Sequence, residues 1–289
     1  MWQHPQIEIF TNIEFDHPDV FMSLEQIRND FLDFANQLPK DGILIACGDD
    51  PQLKILLREY QGRRITFGFS PANDYVIKKT TNAKTKTFFW VNAYGTSLGE
   101  FCLNVSGDFN AVNALGAIIA AIEVGLPIDK IKASFLKFTG SKRRFEYIGK
   151  LTSGALIIDD YAHHPTEIKK TLKAFRQSFP KSEIVCIFQP HTYSRTKALF
   201  GDFVHSFANA DTLILTDIYP SLREKEDKTV SSRLLADKIA FIHKDVIYLP
   251  KLDNVVEYID QKRFGENVVI VTMGAGDVYK ISEKLRMKS

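Results

Sequence analysis

Ala155-Leu156-Ile157-Ile158-Asp159-Asp160-Tyr161-Ala162-His163-His164-Pro165-Thr166-Glu167-Ile168 changes character along its length. Ala155 to Ile158 shows no polar face, as expected of a strand covered on both sides. Pro165 suits the first position of a helix, and Glu167 sets an anion against the positive end of its dipole. Ile168, Leu172 and Phe175 then recur at spacings of four and three. A covered strand that runs into an amphipathic helix is the repeating unit of a parallel sheet flanked by helices. The same grammar continues downstream. Strands are predicted at Glu183 to Phe188, Thr212 to Leu215, Val246 to Leu249 and Val268 to Thr272, with a helix carrying Leu199, Phe203 and Phe207. The second half therefore reads as a doubly wound α/β domain.

The first half is less regular. A strand from Ile7 to Ile13, a helix with Leu24, Ile27, Phe31, Phe34 and Leu38 on one face, and a strand at Ile43 to Cys47 form another βαβ pattern. Short β-prone runs at Ile65 to Phe67, Tyr75 to Ile77, Thr87 to Val91 and Phe101 to Val105 are broken by Asn, Gly and Ser, which predicts antiparallel strands. Helices are predicted over Asn110 to Val124 and Asp129 to Phe138, and the polar stretch Thr139 to Arg144 is the expected domain boundary.

Composition narrows the functional classes. The 289 residues are 45% hydrophobic and 25% charged, the profile of a globular chain of about two domains. Lys+Arg 37 against Asp+Glu 35 gives a net charge of +2, so no broad basic face is demanded and no nucleic acid is expected as a partner. The longest apolar stretch, Ala114 to Ile122, falls well short of the roughly 18 residues of a membrane span. Glu8, Glu14, Asp16 and Asp19 stand where a signal segment would be basic and then apolar, so a cytoplasmic location is expected. Cys47, Cys102 and Cys186 are odd in number and widely spaced, and read as reduced core thiols.

Chemistry-bearing residues gather where strands end. Thr11-Asn12-Ile13-Glu14-Phe15-Asp16-His17-Pro18-Asp19 follows the first strand, and an imidazole there can ligate a metal; the plain alternative is a solvated turn. Gly107-Asp108-Phe109-Asn110-Ala111-Val112-Asn113 opens a helix with two carboxamides on one face, suited to an adenine edge or a phosphate, although Asn110 also suits a helix cap. Arg143-Arg144-Phe145-Glu146 offers cations in the linker, either a phosphate clamp or surface charge. The densest cluster is Asp159 to Glu167, where two carboxylates, a phenol and two imidazoles crowd one strand end. Gln189-Pro190-His191-Thr192-Tyr193-Ser194-Arg195-Thr196 follows the next strand at the same edge, so the two loops are expected to meet. Gly274-Ala275-Gly276-Asp277 lacks the third glycine of a dinucleotide fingerprint and reads as a tight turn.

As an ordered set, these motifs resemble the Mur ligases, and within that family its alanine-adding members, along almost the entire chain. The resemblance implies the distal part of a central ATPase domain over residues 1–140 and a Rossmann-like C-terminal domain over 141–289. It implies an ATP-dependent amide-bond ligase of peptidoglycan precursor synthesis, in which a carboxylate of UDP-N-acetylmuramate is phosphorylated and the acyl phosphate is attacked by the amine of L-alanine, with magnesium as a cofactor. By the same resemblance His17 would ligate magnesium, and Asn110 and Asn113 would contact the adenine region of ATP. Arg144 would reach the phosphates and Asp160 would serve the nucleotide. Tyr161, His163 and Arg195 would line the site for alanine and muramate, with His191 close by. Arg144, His163 and Arg195 are the groups expected to be catalytic.

Two departures accompany the resemblance. Thr192 stands where the family commonly has arginine. No Gly-x-x-Gly-Lys-Thr/Ser loop occurs in the 289 residues, whereas the family carries one upstream of its Thr-Asn-Ile-Glu strand. The expectation is a chain without the N-terminal part of the enzyme, inactive unless a separate polypeptide supplies that half. The alternative is a non-catalytic binding or scaffold module derived from a Mur ligase.

Overall fold

The computed structural model describes residues 4–83, 85–220 and 224–287. It divides into two compact units, Met1–Thr139 and Gly140–Ser289. In the first unit, β1 (Ile7–Phe10), α1 (Leu24–Ala35), β2 (Ile43–Cys47), α2 (Pro51–Glu59) and β3 (Arg64–Gly68) make two successive parallel crossovers. A meander of β4 (Tyr75–Ala83), β5 (Lys86–Ala93) and β6 (Thr96–Leu103) extends the same sheet, in the order β1-β2-β3-β4-β5-β6. The helices α3 (Asp108–Glu123) and α4 (Ile128–Lys137) complete the unit. Ala111, Leu115, Ile118 and Ile119 of α3 share a core with Ile45, Phe67, Phe89 and Val91 of the sheet.

Several expectations for this unit are corrected. β1 ends at Phe10 because Thr11, Asn12 and Glu14 hydrogen-bond among themselves beyond it. The run at Ile65 to Phe67 belongs to β3, which pairs in parallel with β2 and β4; the antiparallel part begins only at β4. A short β-prone run does not encode its direction, whereas the crossover through α2 does. That helix was readable from Asp50-Pro51: Asp50 accepts from the Gln52 and Leu53 amides at 3.0 and 2.8 Å, and Pro51 opens the first turn.

The second unit contains β7 (Glu146–Lys150), β8 (Leu156–Asp160), α5 (Pro165–Ser178), β9 (Glu183–Phe188), α6 (Tyr193–Ala198), α7 (Phe200–Val204) and β10 (Thr212–Leu215). It closes with α8 (Ser232–Ile239), β11 (Val246–Tyr248), α9 (Leu252–Lys262), β12 (Val268–Met273) and α10 (Tyr279–Met287). The sheet order is β11-β10-β9-β12-β8-β7, parallel except for β7, which runs antiparallel along β8. Alternation along the strands covers both faces. Ile157, Val185, Ile187 and Ile270 pack with Val255, Ile259, Ile281 and Leu285 from α9 and α10. On the opposite set, the Phe188 ring lies 5.8 Å from that of Phe203 and 5.2 Å from that of Phe207. This is the expected doubly wound α/β architecture, with two differences. The half-exposed β7 has no apolar run to announce it, and the periodicity from Leu199 to Phe207 is split, with Leu199 ending α6 and Phe207 lying beyond α7.

All three cysteines are free; Cys47 and Cys186 are buried and Cys102 is half-buried. Among the described residues no helix is long and apolar enough to cross a membrane.

Candidate functional site

β8, β12 and β9 are neighbours in register, with Met273 level with Asp160 on one side and Phe188 on the other. Their carboxyl ends therefore bring residues 160–164, 274–277 and 189–192 to one edge, the edge at which open α/β sheets bind ligands. The β12 turn is tight, as expected. Gly274 has φ +141°, and a Cβ on it would lie 2.6 Å from the Gln189 carbonyl oxygen; one on Gly276 would lie 2.6 Å from Gln189 Oε1 and from the Tyr219 ring. Glycine is required because backbone and Tyr219 occupy the space a side chain would need.

The two linker arginines divide their work. Arg143 Nε donates to Asp159 Oδ2 at 3.0 Å and Nη2 donates to the Gly274 carbonyl at 2.5 Å. Its guanidinium also sits 5.0 Å from the Tyr161 ring centroid and 4.7 Å from that of Tyr279. Asp159, 1% exposed, accepts in addition from Thr272 Oγ1 at 2.5 Å. Arg143 is thus a buried clasp between β8, β12 and the linker. Arg144 remains half-exposed, with Nη1 3.6 Å from Glu167 Oε1 and its guanidinium 5.4 Å from the Tyr161 ring centroid.

Asp160 is 3% exposed, and its oxygens accept backbone amides from Phe145 and Ala162, both at 2.8 Å. Burial pushes its carboxyl up to about 6, against the pull of those amides and of Arg144. The group expected to serve the nucleotide is therefore, in this unit, a fastener of the linker to the strand end. Glu167 fastens the neighbouring turn. Its Oε2 accepts from the His163 and His164 amides at 3.0 and 3.3 Å and lies 3.3 Å from His163 Nδ1, closing a capping box in which His164 Nδ1 accepts from the Thr166 amide. Burial raises the Glu167 carboxyl, but the His163 ring, the two amides and Arg144 outweigh it and hold the group below the usual carboxylate range.

The two loops that were expected to meet do so. The His163 and His191 rings are 6.3 Å apart edge to face, Tyr161 stands 5.3 Å from His163, and Tyr219 stacks on His191 at 5.5 Å with 12° between planes. Arg195 is 3% exposed and donates from Nη1 to His191 Nδ1 at 3.1 Å and to the His191 carbonyl at 3.2 Å. It is an enclosed cation, in contrast to Arg144. Thr192, at φ +70°, caps α6 by accepting from the Arg195 amide, a strained conformation for a β-branched residue that costs on the order of 1 to 3 kcal/mol. Glu224 accepts from the Tyr193 amide at 2.8 Å and from the Ser194 hydroxyl.

The strand end in the first unit is sparser. His17, at φ +54°, has a side chain 60% exposed, with Nε2 3.8 Å from Asp16 and Nδ1 4.0 Å from Asp19. Among the described residues no three His, Cys, Asp or Glu side chains are grouped to hold a metal ion. Each ring nitrogen faces one carboxylate at long range, which resembles the plain polar turn. Asn110 and Asn113 both lie on α3, one half-buried and one exposed. The Asn110 amide donates to the Ser106 carbonyl at 2.7 Å, one turn back. Asn82, Thr87 and Asp108 form a network with the Gly107 amide at the start of the same helix.

Sequence reading missed Tyr219 and the separate role of Arg143. Tyr219 is tied to the 189–192 loop through its backbone as well as its ring: its amide donates to the Pro190 carbonyl and its carbonyl accepts from the Thr192 amide. No spacing rule links residues so far apart. Arg143 carried a usable signal, since a cation beside a buried carboxylate strand end needs a partner.

Comparison with known proteins follows the two units. Residues 2–121 match the Mur ligase middle domain, and residues 143–276 match the family described as Mur ligase, glutamate ligase domain. A UDP-N-acetylmuramate–L-alanine ligase of Desulfitobacterium hafniense (strain Y51) is 41% identical over 281 residues, covering 97% of this chain and 62% of that protein. The crystal structure of UDP-N-acetylmuramate-alanine ligase from Thermotoga maritima superposes with TM-score 0.79 at 25% identity, over 99% of this chain and 60% of that one. The MurF ligase of the same organism, solved in complex with ADP, gives TM-score 0.78 at 16% identity, over 98% of this chain and 62% of that one, a likeness of fold. The chain thus spans about 60% of the length of the relatives it matches.

Proposed function

Because the chain belongs to the Mur ligase family, whose middle and C-terminal domains it carries, we propose that it is the nucleotide- and amino-acid-handling portion of an ATP-dependent ligase that joins L-alanine to UDP-N-acetylmuramate. The observation that carries this reading is the convergence of Tyr161, His163, His191 and Arg195 at the carboxyl edge of the second sheet. A cation and hydrogen-bonding rings together suit a small zwitterion and an anionic acyl partner.

In this reading Tyr161, His163, His191 and Arg195 contact alanine and the muramate carboxyl, and Arg144, the more exposed linker arginine, reaches the phosphates of ATP. Asn110 and Asn113 present carboxamides to the adenine region. Asp160 acts on the nucleotide side by holding Phe145, and with it Arg144, in place. Magnesium would neutralise phosphate charge, with His17 as one ligand beside groups this chain does not itself assemble. The product is a precursor of peptidoglycan, made in the cytoplasm.

The 289 residues contain no Gly-x-x-Gly-Lys-Thr/Ser loop, so by themselves they neither hydrolyse ATP nor form the amide. In this reading the N-terminal half of the enzyme, on whichever polypeptide carries it, supplies that loop and the uridine-nucleotide site. Mixing the two and assaying amide formation tests this: ligation by the mixture supports the reading, and robust ligation by the 289-residue chain alone overturns it. Under a second reading, a non-catalytic binding module, the mixture forms no amide although the chain still binds its ligands.

A further inference from the structure

We propose that Glu224 is a positioning residue for the ligation: reaching across from the loop after β10, it pins the strained start of α6 and so fixes where Arg195 carries its charge. The proposal rests on the ligase reading in giving Arg195 an anionic substrate to meet.

α6 begins at a corner. Thr192, at φ +70° and ψ 142°, turns the chain in a conformation that β-branched residues rarely adopt. Across that turn Arg195 comes back onto His191, with Nη1 3.1 Å from its Nδ1 and 3.2 Å from its carbonyl oxygen. The position of the guanidinium therefore depends on the corner being kept. A strained backbone persists only where its surroundings over-determine it.

Those surroundings come from one segment of chain. Upstream of the corner, the parallel pairing of β9 with β10 continues beyond both strands as a bridge between His191 and Tyr219. The Tyr219 amide donates to the Pro190 carbonyl at 2.8 Å, and the Thr192 amide donates to the Tyr219 carbonyl at 3.0 Å. Downstream of the corner, Glu224 Oε2 accepts from the Tyr193 amide at 2.8 Å and from the Ser194 amide at 3.4 Å, while Oε1 accepts from the Ser194 hydroxyl. Thr192 is thus gripped on both sides by the loop after β10.

The hydrogen bonds at the start of α6 show why the grip cannot be local. The first amides of a helix have no partner within it. Thr192 Oγ1 takes that of Arg195 at 3.4 Å, and the Thr196 hydroxyl closes the turn on the Thr192 carbonyl at 2.7 Å. The amides of Tyr193 and Ser194 both go to Glu224, where three converging donors suit an anion. A second tie joins the same two segments, Lys197 Nζ to Asp227 Oδ2 at 2.9 Å, but the Lys197 side chain is largely in water and such a pair holds little. Without Glu224 the corner relaxes and Arg195 leaves its place over His191. The loss falls on the amino-acid side of the reaction, because the groups assigned to ATP, Asn110, Asn113 and Arg144, lie on other elements.

Arginine-selective 15N NMR on the 289-residue chain, with the Arg195 signal assigned through Arg195→Lys, reads this position without any need for activity. Glu224→Ala is expected to shift and broaden the Arg195 signal. Glu224→Gln, which keeps an oxygen to accept the amides, should restore most of it; Ser194→Ala should shift it less, and Lys197→Ala should leave it unmoved. An Arg195 signal unmoved by Glu224→Ala, or moved as far by Lys197→Ala, overturns the proposal. Should Glu224→Ala not fold, Ser194→Ala decides, and an unmoved signal there overturns it. In the reconstituted mixture Glu224→Ala is expected to raise KM for L-alanine about tenfold or more, with KM for ATP changed less than about twofold. An equal rise in both marks general damage and contradicts a positioning role. A wild-type mixture that does not ligate sinks the ligase reading, while the NMR result still decides what Glu224 holds.

Discussion

The loop after β1 and the loop after β8 start from the same ingredients, an apolar strand running into carboxylates and histidines, and they reach opposite conditions. After β8, each charged group has a partner of the other sign or a pair of backbone amides: Arg143 with Asp159, Glu167 with His163, Asp160 with Phe145 and Ala162. After β1, His17 is largely exposed and its carboxylates stand at 3.8 and 4.0 Å. The first arrangement is pre-organised by burial, whereas the second leaves its imidazole largely in solvent. Even within its core the first unit leaves a carboxylate unpaired. Both Glu8 oxygens are buried and unpartnered, with the residue 4% exposed, and burial pushes the group up to about 7.

Substitutions that break this contrast should rank accordingly. Arg143→Ala strands the Asp159 carboxylate inside the second unit and is expected to cost about 3 to 5 kcal/mol in denaturant unfolding. A loss under about 1 kcal/mol would show that the clasp is not structural. Asp160→Ala leaves the Phe145 and Ala162 amides without an acceptor, at roughly 1 to 3 kcal/mol each, and should loosen the linker first, visible as faster amide exchange at Phe145.

Glu8→Leu goes the other way and should stabilise the first unit by roughly 1 to 3 kcal/mol at neutral pH. Its pH signature has a definite sign. The folded-state group titrates near 7 against an ordinary value of 4.5, so the wild type holds its full stability below the ordinary value and loses it as pH rises toward and through about 7. The variant should not show that loss, and parallel curves for the two proteins would remove Glu8 as its source. His17→Ala, at the exposed end of the scale, should change stability by less than about 0.5 kcal/mol.

How far this was legible in sequence follows the same division. The strands of the second sheet have no polar face, so Glu183–Phe188 and Thr212–Leu215 were placed to the residue, and Pro165 with Glu167 marked the start of α5. The meeting of the two loops followed from strand order alone. Partner choice did not: Arg143 and Arg144 are adjacent and chemically identical, and only the fold decides which is enclosed by Asp159, Tyr161 and Tyr279. Nor could the sequence reveal that Arg195 is enclosed and that its fork points at His191 Nδ1. In the first unit, β3 lost its direction and α2 was passed over because a nine-residue helix offers little periodicity beyond its Asp50-Pro51 cap.

The most direct test of the central claim is ATP- and L-alanine-dependent amide formation on UDP-N-acetylmuramate, measured with the 289-residue chain, with a separately expressed N-terminal half, and with both. Activity in the mixture alone, abolished by Arg195→Ala, is the predicted result. Full activity from the 289-residue chain by itself, or a mixture that binds ATP and both substrates yet makes no amide, would contradict it.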